Sequence, residues 1–199
     1  MKKFSRLPDI DPVEFPDIAS ALARTEESRG FVSNLMRMTS HAPAAQKARV
    51  PYGHFLRFET DLTELQRELV ICATVRDVPY GWAHHVGLIL QLGFSEEQAA
   101  TLKTGAVPTG LSETDRALCA FTFAYAACKG VPDHVLQDLQ AHFSTRQIIE
   151  IALLSGSYLG AGAMLTAFEP ELEPPEVLQL ELDWQTRRLE AEAARQPSS

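Results

Sequence analysis

The sequence predicts an all-α protein, and three observations carry that expectation. Alternating runs of β-branched and aromatic residues, the mark of strands, are nearly absent. Apolar residues recur instead at spacings of three and four, as in Leu62, Leu65, Leu69, Cys72 and Ala73. The helical runs are punctuated by capping residues and by glycine or proline stops.

In chain order, residues 1–16 read as an extended lead-in, rich in proline and acid through Pro8, Asp9, Asp11, Pro12, Glu14 and Pro16. Asp17 caps a helix over 17–29, which Gly30 ends. Phe31 to Met38 forms a short apolar turn or helix that stops near Ser40-His41-Ala42-Pro43. Pro43 opens a helix over 43–58, with a kink or break expected at Pro51 and Gly53. A cap at Asp61 or Thr63 starts a helix over 62–76, ended by Arg76-Asp77-Val78-Pro79. Pro79 opens the next, 79–92, and Gly93 closes it. Ser95 and Gln98 form a capping box for 95–104. Ser112 caps 113–129, which meets the stop Gly130-Val131-Pro132, and 132–142 is helical. Ser144 caps a long apolar helix over 145–168. Its middle, Ser155 to Ala163, is packed with small residues, which suggests a close helix crossing or room for a ligand. Pro170, Pro174 and Pro175 then form a linker to a charged helix over 176–195. The expected organisation is a lead-in (1–16), a single helical domain (17–170), and a C-terminal linker and helix (171–199).

With 199 residues, 45% apolar and 22% charged, the chain can build a packed core. Its net charge of −8 argues against nucleic acid or an anionic membrane as the main partner. The start of the chain does not read as a signal peptide, and no run approaches the roughly 18 apolar residues of a membrane span. A cytoplasmic protein is expected. Cys72, Cys119 and Cys128 are odd in number, and no two have CxxC spacing. They read as buried, inert thiols rather than a disulfide framework, zinc knuckle or dithiol centre.

Reactive groups gather in one run, Val78-Pro79-Tyr80-Gly81-Trp82-Ala83-His84-His85, with Glu68 upstream. Histidine titrates near neutral pH and serves as acid, base or metal ligand. On a helix Tyr80 and His84 share a face, and Trp82 and His85 share the neighbouring one. Gly81 lies four residues before His85, so a gap for a substrate is expected over that imidazole. Adjacent histidines point about 100° apart on a helix, which argues against a shared metal. Tyr158, among its small neighbours, is a further candidate, and Tyr52 and His54 near Pro51 are weaker ones.

Glu68, the Tyr80-x-Trp82-x-x-His85 pattern and Gly93 resemble the carboxymuconolactone decarboxylase family, which shares its all-helical fold with the alkylhydroperoxidase D-like proteins. The resemblance runs from about Val32 to Glu173 and includes Leu111 to Leu118 and the Tyr158 helix. It implies an alkylhydroperoxidase D-like helical bundle that assembles as a homo-oligomer (dimer, trimer or hexamer). It also implies a cofactor-free lyase or isomerase acting on a small carboxylated or lactone-like molecule. His85 would be the acid/base, with Glu68 beside it. Tyr80 or His84 would hold a carboxylate or enolate oxygen. Trp82, Gly81 and Tyr158 would contact substrate. The peroxidase branch carries thiols seven and four residues before its histidine, where this chain has Val78 and Gly81. Its glutamate also lies slightly further from the histidine than Glu68 lies from His85. Two alternatives stand beside the lyase: a peroxidase-like antioxidant using a lone thiol, with Cys72 nearest in sequence, and a non-catalytic oligomeric small-ligand-binding protein whose final helix, with Trp184 and Leu189, exchanges between subunits.

Overall fold

Residues 4–10 and 16–194 are described by the computed structural model, and every regular element among them is an α-helix, ten in all. Positions 11–15 of the expected lead-in and the polar tail after 194 lie outside the described residues. The chain divides into two compact units, one made from the segments up to Gln46 and from Phe168 onward, the other spanning Lys47–Ala167.

The first unit joins the two ends of the chain. It contains α1 (Pro16–Arg29), α2 (Asn34–Thr39) and α10 (Pro175–Ala193), with α1 packed on α10. Asp17 sits inside the first turn of α1 rather than capping it. The short apolar stretch is a helix, α2, because the Ser33 hydroxyl accepts from the Met36 N–H at its start. The lead-in is tied to the segment after residue 168 by backbone hydrogen bonds from Arg6 to Phe168 and from Glu171 to Phe4, at 2.8 and 2.9 Å. Asn34 donates through its backbone N–H to the Glu173 carboxylate and through its side chain to the Glu171 carbonyl. Arg37 pairs with Asp9. These ties group residues before 46 with residues after 168.

The second unit is built around α4 (Glu64–Val75), which packs on α5 (Pro79–Gln91), α6 (Glu96–Lys103) and α7 (Glu113–Ala126). Every residue of α4 from Arg67 to Val75 is buried, so this helix is enclosed on all sides. Its start is firmly fixed. Thr63 and Gln66 make both arms of a capping box, and Arg67 donates to the carbonyls of Leu62 and Thr60 and to the Glu64 carboxylate. Glu150 accepts from the Asp61 N–H at 2.9 Å. The first turn of α5 then approaches α4 closely. A Cβ placed at Gly81 would lie 3.0 Å from the Val75 Cβ, so only glycine lets the two helices meet there.

The remaining elements follow the expected order. α3 (Pro43–Phe58) runs through Pro51 without the expected break. The proline removes one donor, and the turn beyond it is held by Leu56, buried in the core, and by Phe55 packed against it. The capping box of α6 forms as Ser95 and Gln98 predict. Helix α7 stops at Ala126, short of 129, because Cys128 turns the chain with a φ of +54° before Gly130. Next come α8 (Asp133–His142), packed on α7, and α9 (Thr145–Phe168). Against expectation, α9 is long and apolar enough to cross a membrane by length and composition, although 39% of its apolar window is buried inside the protein. Its buried face carries Glu150, Ile151, Leu154, Ser155 and Leu165, while Ile149 and Leu153 are exposed.

Candidate functional site

The contact between Gly81 and Val75 makes α4 and α5 a tight pair, and this pair brings Glu68 to His85. The His85 Nδ1 and Glu68 Oε2 lie 2.7 Å apart. On the other side, the Arg57 Nη2 of α3 donates to Glu68 Oε1 at 3.3 Å. Glu68 keeps only 1% of its surface exposed. Burial alone would raise its pKa, but the attraction and hydrogen bond of His85, with those of Arg57, outweigh burial and hold the carboxyl below the usual value. Glu68 is therefore an ionised acceptor, so Nδ1 of His85 carries the hydrogen and donates it. Nε2 is then the ring nitrogen not engaged with Glu68.

The His85 ring meets the Tyr158 ring edge-on, with centroids 5.2 Å apart. Tyr158 lines an open cavity of about 390 Å³ between the end of α4, the start of α5 and the middle of α9. Thr74, Val78, Gly162, Ala163 and Thr166 share the lining. Small residues on α9 give it room, as their clustering in the sequence suggested. Gly162 allows the close approach, since a Cβ there would meet Val78 Cγ2 at 3.1 Å. The cavity touches Tyr158 directly; His85 stands behind that ring and is not among the lining residues.

The other residues singled out in the sequence lie elsewhere. Tyr80 and His84 stack on each other, with centroids 4.6 Å apart, and both are buried. Neither lines the cavity. Trp82 is a core residue with the Lys103 ammonium over its ring at 5.0 Å, so it does not form a wall of the cavity. The gap expected over Gly81 is filled by Val75. Tyr52 is exposed and His54 pairs with Glu59 at the surface. Arg57 was not foreseen: an arginine on an amphipathic helix reads as a solvated side chain, and no sequence spacing ties it to Glu68.

The thiols are poorly placed for chemistry. Burial, with the Glu68 charge adding to it, pushes the Cys72 thiol well above its ordinary pKa. Burial, with Asp115 contributing, pushes Cys119 up to about 12. Only Cys128 is exposed. Among the described residues, no three His, Cys, Asp or Glu side chains converge as metal ligands.

Comparison with known proteins adds the fold. No protein-family model matches the sequence, and no characterised protein matches it. Solved structures do. An uncharacterised peroxidase-related protein of Ralstonia eutropha with an alkylhydroperoxidase AhpD core superposes with a TM-score of 0.77 at 19% identity, covering 91% of this chain and 98% of that one. A peroxidase-related protein of Silicibacter gives 0.73 at 19% identity, covering 86% and 93%. The debrominase Bmp8, solved with 2,3,4-tribromopyrrole, gives 0.68 at 15% identity, covering 88% and 94%. The chain has the all-α, AhpD-like fold.

Proposed function

We propose that this chain is a cofactor-independent acid/base enzyme of the carboxymuconolactone decarboxylase type, a lyase or isomerase acting on a small carboxylated or lactone-like molecule. The observation that carries this reading is the buried hydrogen bond from His85 to an ionised Glu68. It is the base-and-orienter half of a catalytic array: the carboxylate fixes the imidazole tautomer and stabilises the imidazolium that forms when Nε2 takes a proton. A substrate that passed from the cavity beside Tyr158 to the neighbouring His85 ring would, for an isomerase, lose a proton from the carbon next to its carbonyl to Nε2. Nε2 would then return that proton to another carbon of the enolate. For a lyase no C–H bond breaks; the C–CO₂ bond breaks instead, its electron pair passes to the carbonyl as an enolate, and a protonated Nε2 gives its proton to that carbon as carbon dioxide leaves. The absence of CxxC spacing and the raised Cys72 thiol count against thiol peroxide reduction. The exposed aliphatic residues Ile149 and Leu153 on α9 suit the homo-oligomer that the resemblance implies.

The test is hydrogen exchange at carbon. Small lactones and enolisable acids are incubated with the protein in D₂O and followed by proton NMR. The wild type should exchange the hydrogen next to the carbonyl of at least one compound. His85→Ala should slow that exchange by about 10²–10⁴-fold. Exchange undiminished in His85→Ala would overturn the assignment.

A further inference from the structure

From the cavity lining we infer that the molecule bound beside Tyr158 is neutral and largely apolar, a monocyclic or small bicyclic compound with a carbonyl or hydroxyl oxygen, rather than a free carboxylate. This inference rests on the acid/base reading for the identity of the site, and it narrows the substrate class to the lactone side.

Size is the first argument. An apolar cavity of about 150 Å³ already accepts benzene, and this one offers about 390 Å³. The second argument is charge. Among the described residues, no Lys, Arg or His side chain lines the cavity. Its surface is mostly the carbon of Val78, Leu159, Ala163 and Ala167. The polar groups are the hydroxyls of Thr74, Tyr158 and Thr166. Thr74 gives its hydrogen to the Val70 carbonyl at 2.7 Å, so the 2.8 Å contact with Ser155 is one in which Ser155 donates. Thr74 can therefore accept from a ligand but has no hydrogen to give one. Arg57, the cation tied to Glu68, is matched there by that carboxylate. A carboxylate in this open cavity would meet no countercharge among the described lining residues, whereas the mostly carbon surface favours an apolar ring. A neutral carbonyl or hydroxyl needs only hydrogen bonds of the kind that the Thr166 hydroxyl can give and Thr74 can accept.

The experiment uses a matched pair of probes with one carbon skeleton: phthalide, a neutral lactone, and 2-(hydroxymethyl)benzoate, its ring-opened anion. Each is titrated into ¹⁵N-labelled full-length protein and followed by amide chemical shifts. Phthalide should shift amides around Thr74, Val78 and Tyr158 and bind about tenfold more tightly than the benzoate, because its neutral ring gains from the carbon lining while the anion finds no countercharge there. Ala163→Phe, at an exposed lining position, should abolish those shifts without lowering the melting temperature. If Ala163→Phe does not fold, Ala167→Phe takes its place. The inference is overturned if the benzoate binds as well as phthalide, if neither probe moves these amides, or if a folded filling variant still binds phthalide. Failure of the two readings is distinguishable. Phthalide binding without any carbon-exchange activity sinks the acid/base reading and leaves this one. Exchange activity confined to carboxylated compounds does the reverse.

Discussion

Replacing Glu68 by glutamine tests the central pair of the site. The substitution keeps the shape and one acceptor oxygen, so His85 can still donate, but the charge that faces His85 and Arg57 is gone. Removing one member of a buried ion pair costs about 3–5 kcal/mol. Glutamine retains a hydrogen bond, and the Arg57 side chain keeps 17% of its surface exposed and can reach water. The expected loss therefore falls below that range, at about 2–3 kcal/mol. For a chain of this length that is a fall in Tm of about 4–12 °C at pH 7. The pH dependence has a definite sign. Because the folded pKa of Glu68 is depressed, its contribution is present above the ordinary glutamate value of 4.5 and is lost as pH falls through the lower folded value. The gap between wild type and Glu68→Gln should therefore be constant above that pH and close below it. Thermal melts across pH measure the gap, and ¹⁵N NMR of the His85 ring reads the tautomer. Unchanged melting with an unchanged tautomer ratio would refute the pairing.

Two further outcomes follow from the packing. Thiol titration of the native protein should find one reactive cysteine, Cys128, with Cys72 and Cys119 reacting only on unfolding; a rapidly reacting Cys72 would contradict its burial. Gly81→Ala gains about 1 kcal/mol of helix propensity but crowds Val75, with an overpacking cost of about 1–3 kcal/mol. The net should be a loss of up to about 2 kcal/mol in denaturant unfolding, recovered in part when Val75→Ala is added. A Gly81→Ala protein more stable than wild type would show that α5 can back away from α4.

The helices were legible where the chain marks its own ends. Pro43, Thr63, Pro79, Ser95, Ser112 and Ser144 open their helices within a residue or two of expectation, because capping is a local matter of one side chain and a few N–H groups. Ends set by tertiary contacts were less legible. Pro51 read as a kink or a break within the helix over 43–58, and the helix continues past it with Leu56 and Phe55 holding the following turn. The site divides in the same way. His85 stood out by residue type, and its partner Glu68 came from the resemblance. Residues on other elements were invisible: Arg57 reaches Glu68 from α3, Lys103 covers Trp82 from α6, and Val75 fills the space left by Gly81. Spacing along one helix says which face a side chain takes, not what faces it.

The closeness of Val75 to Gly81 also limits the routes by which this sequence can change. In the peroxidase-like pattern, positions 78 and 81 both carry thiols. Replacing Val78 with cysteine removes bulk beside Gly162. Gly81→Cys is different, because its Cβ would sit 3.0 Å from a valine Cβ before the sulfur is considered. That contact adds a packing cost which a smaller residue at position 75 would relieve. The smoother route to a dithiol at this helix pair thus has three substitutions rather than two, with position 75 changed before Gly81.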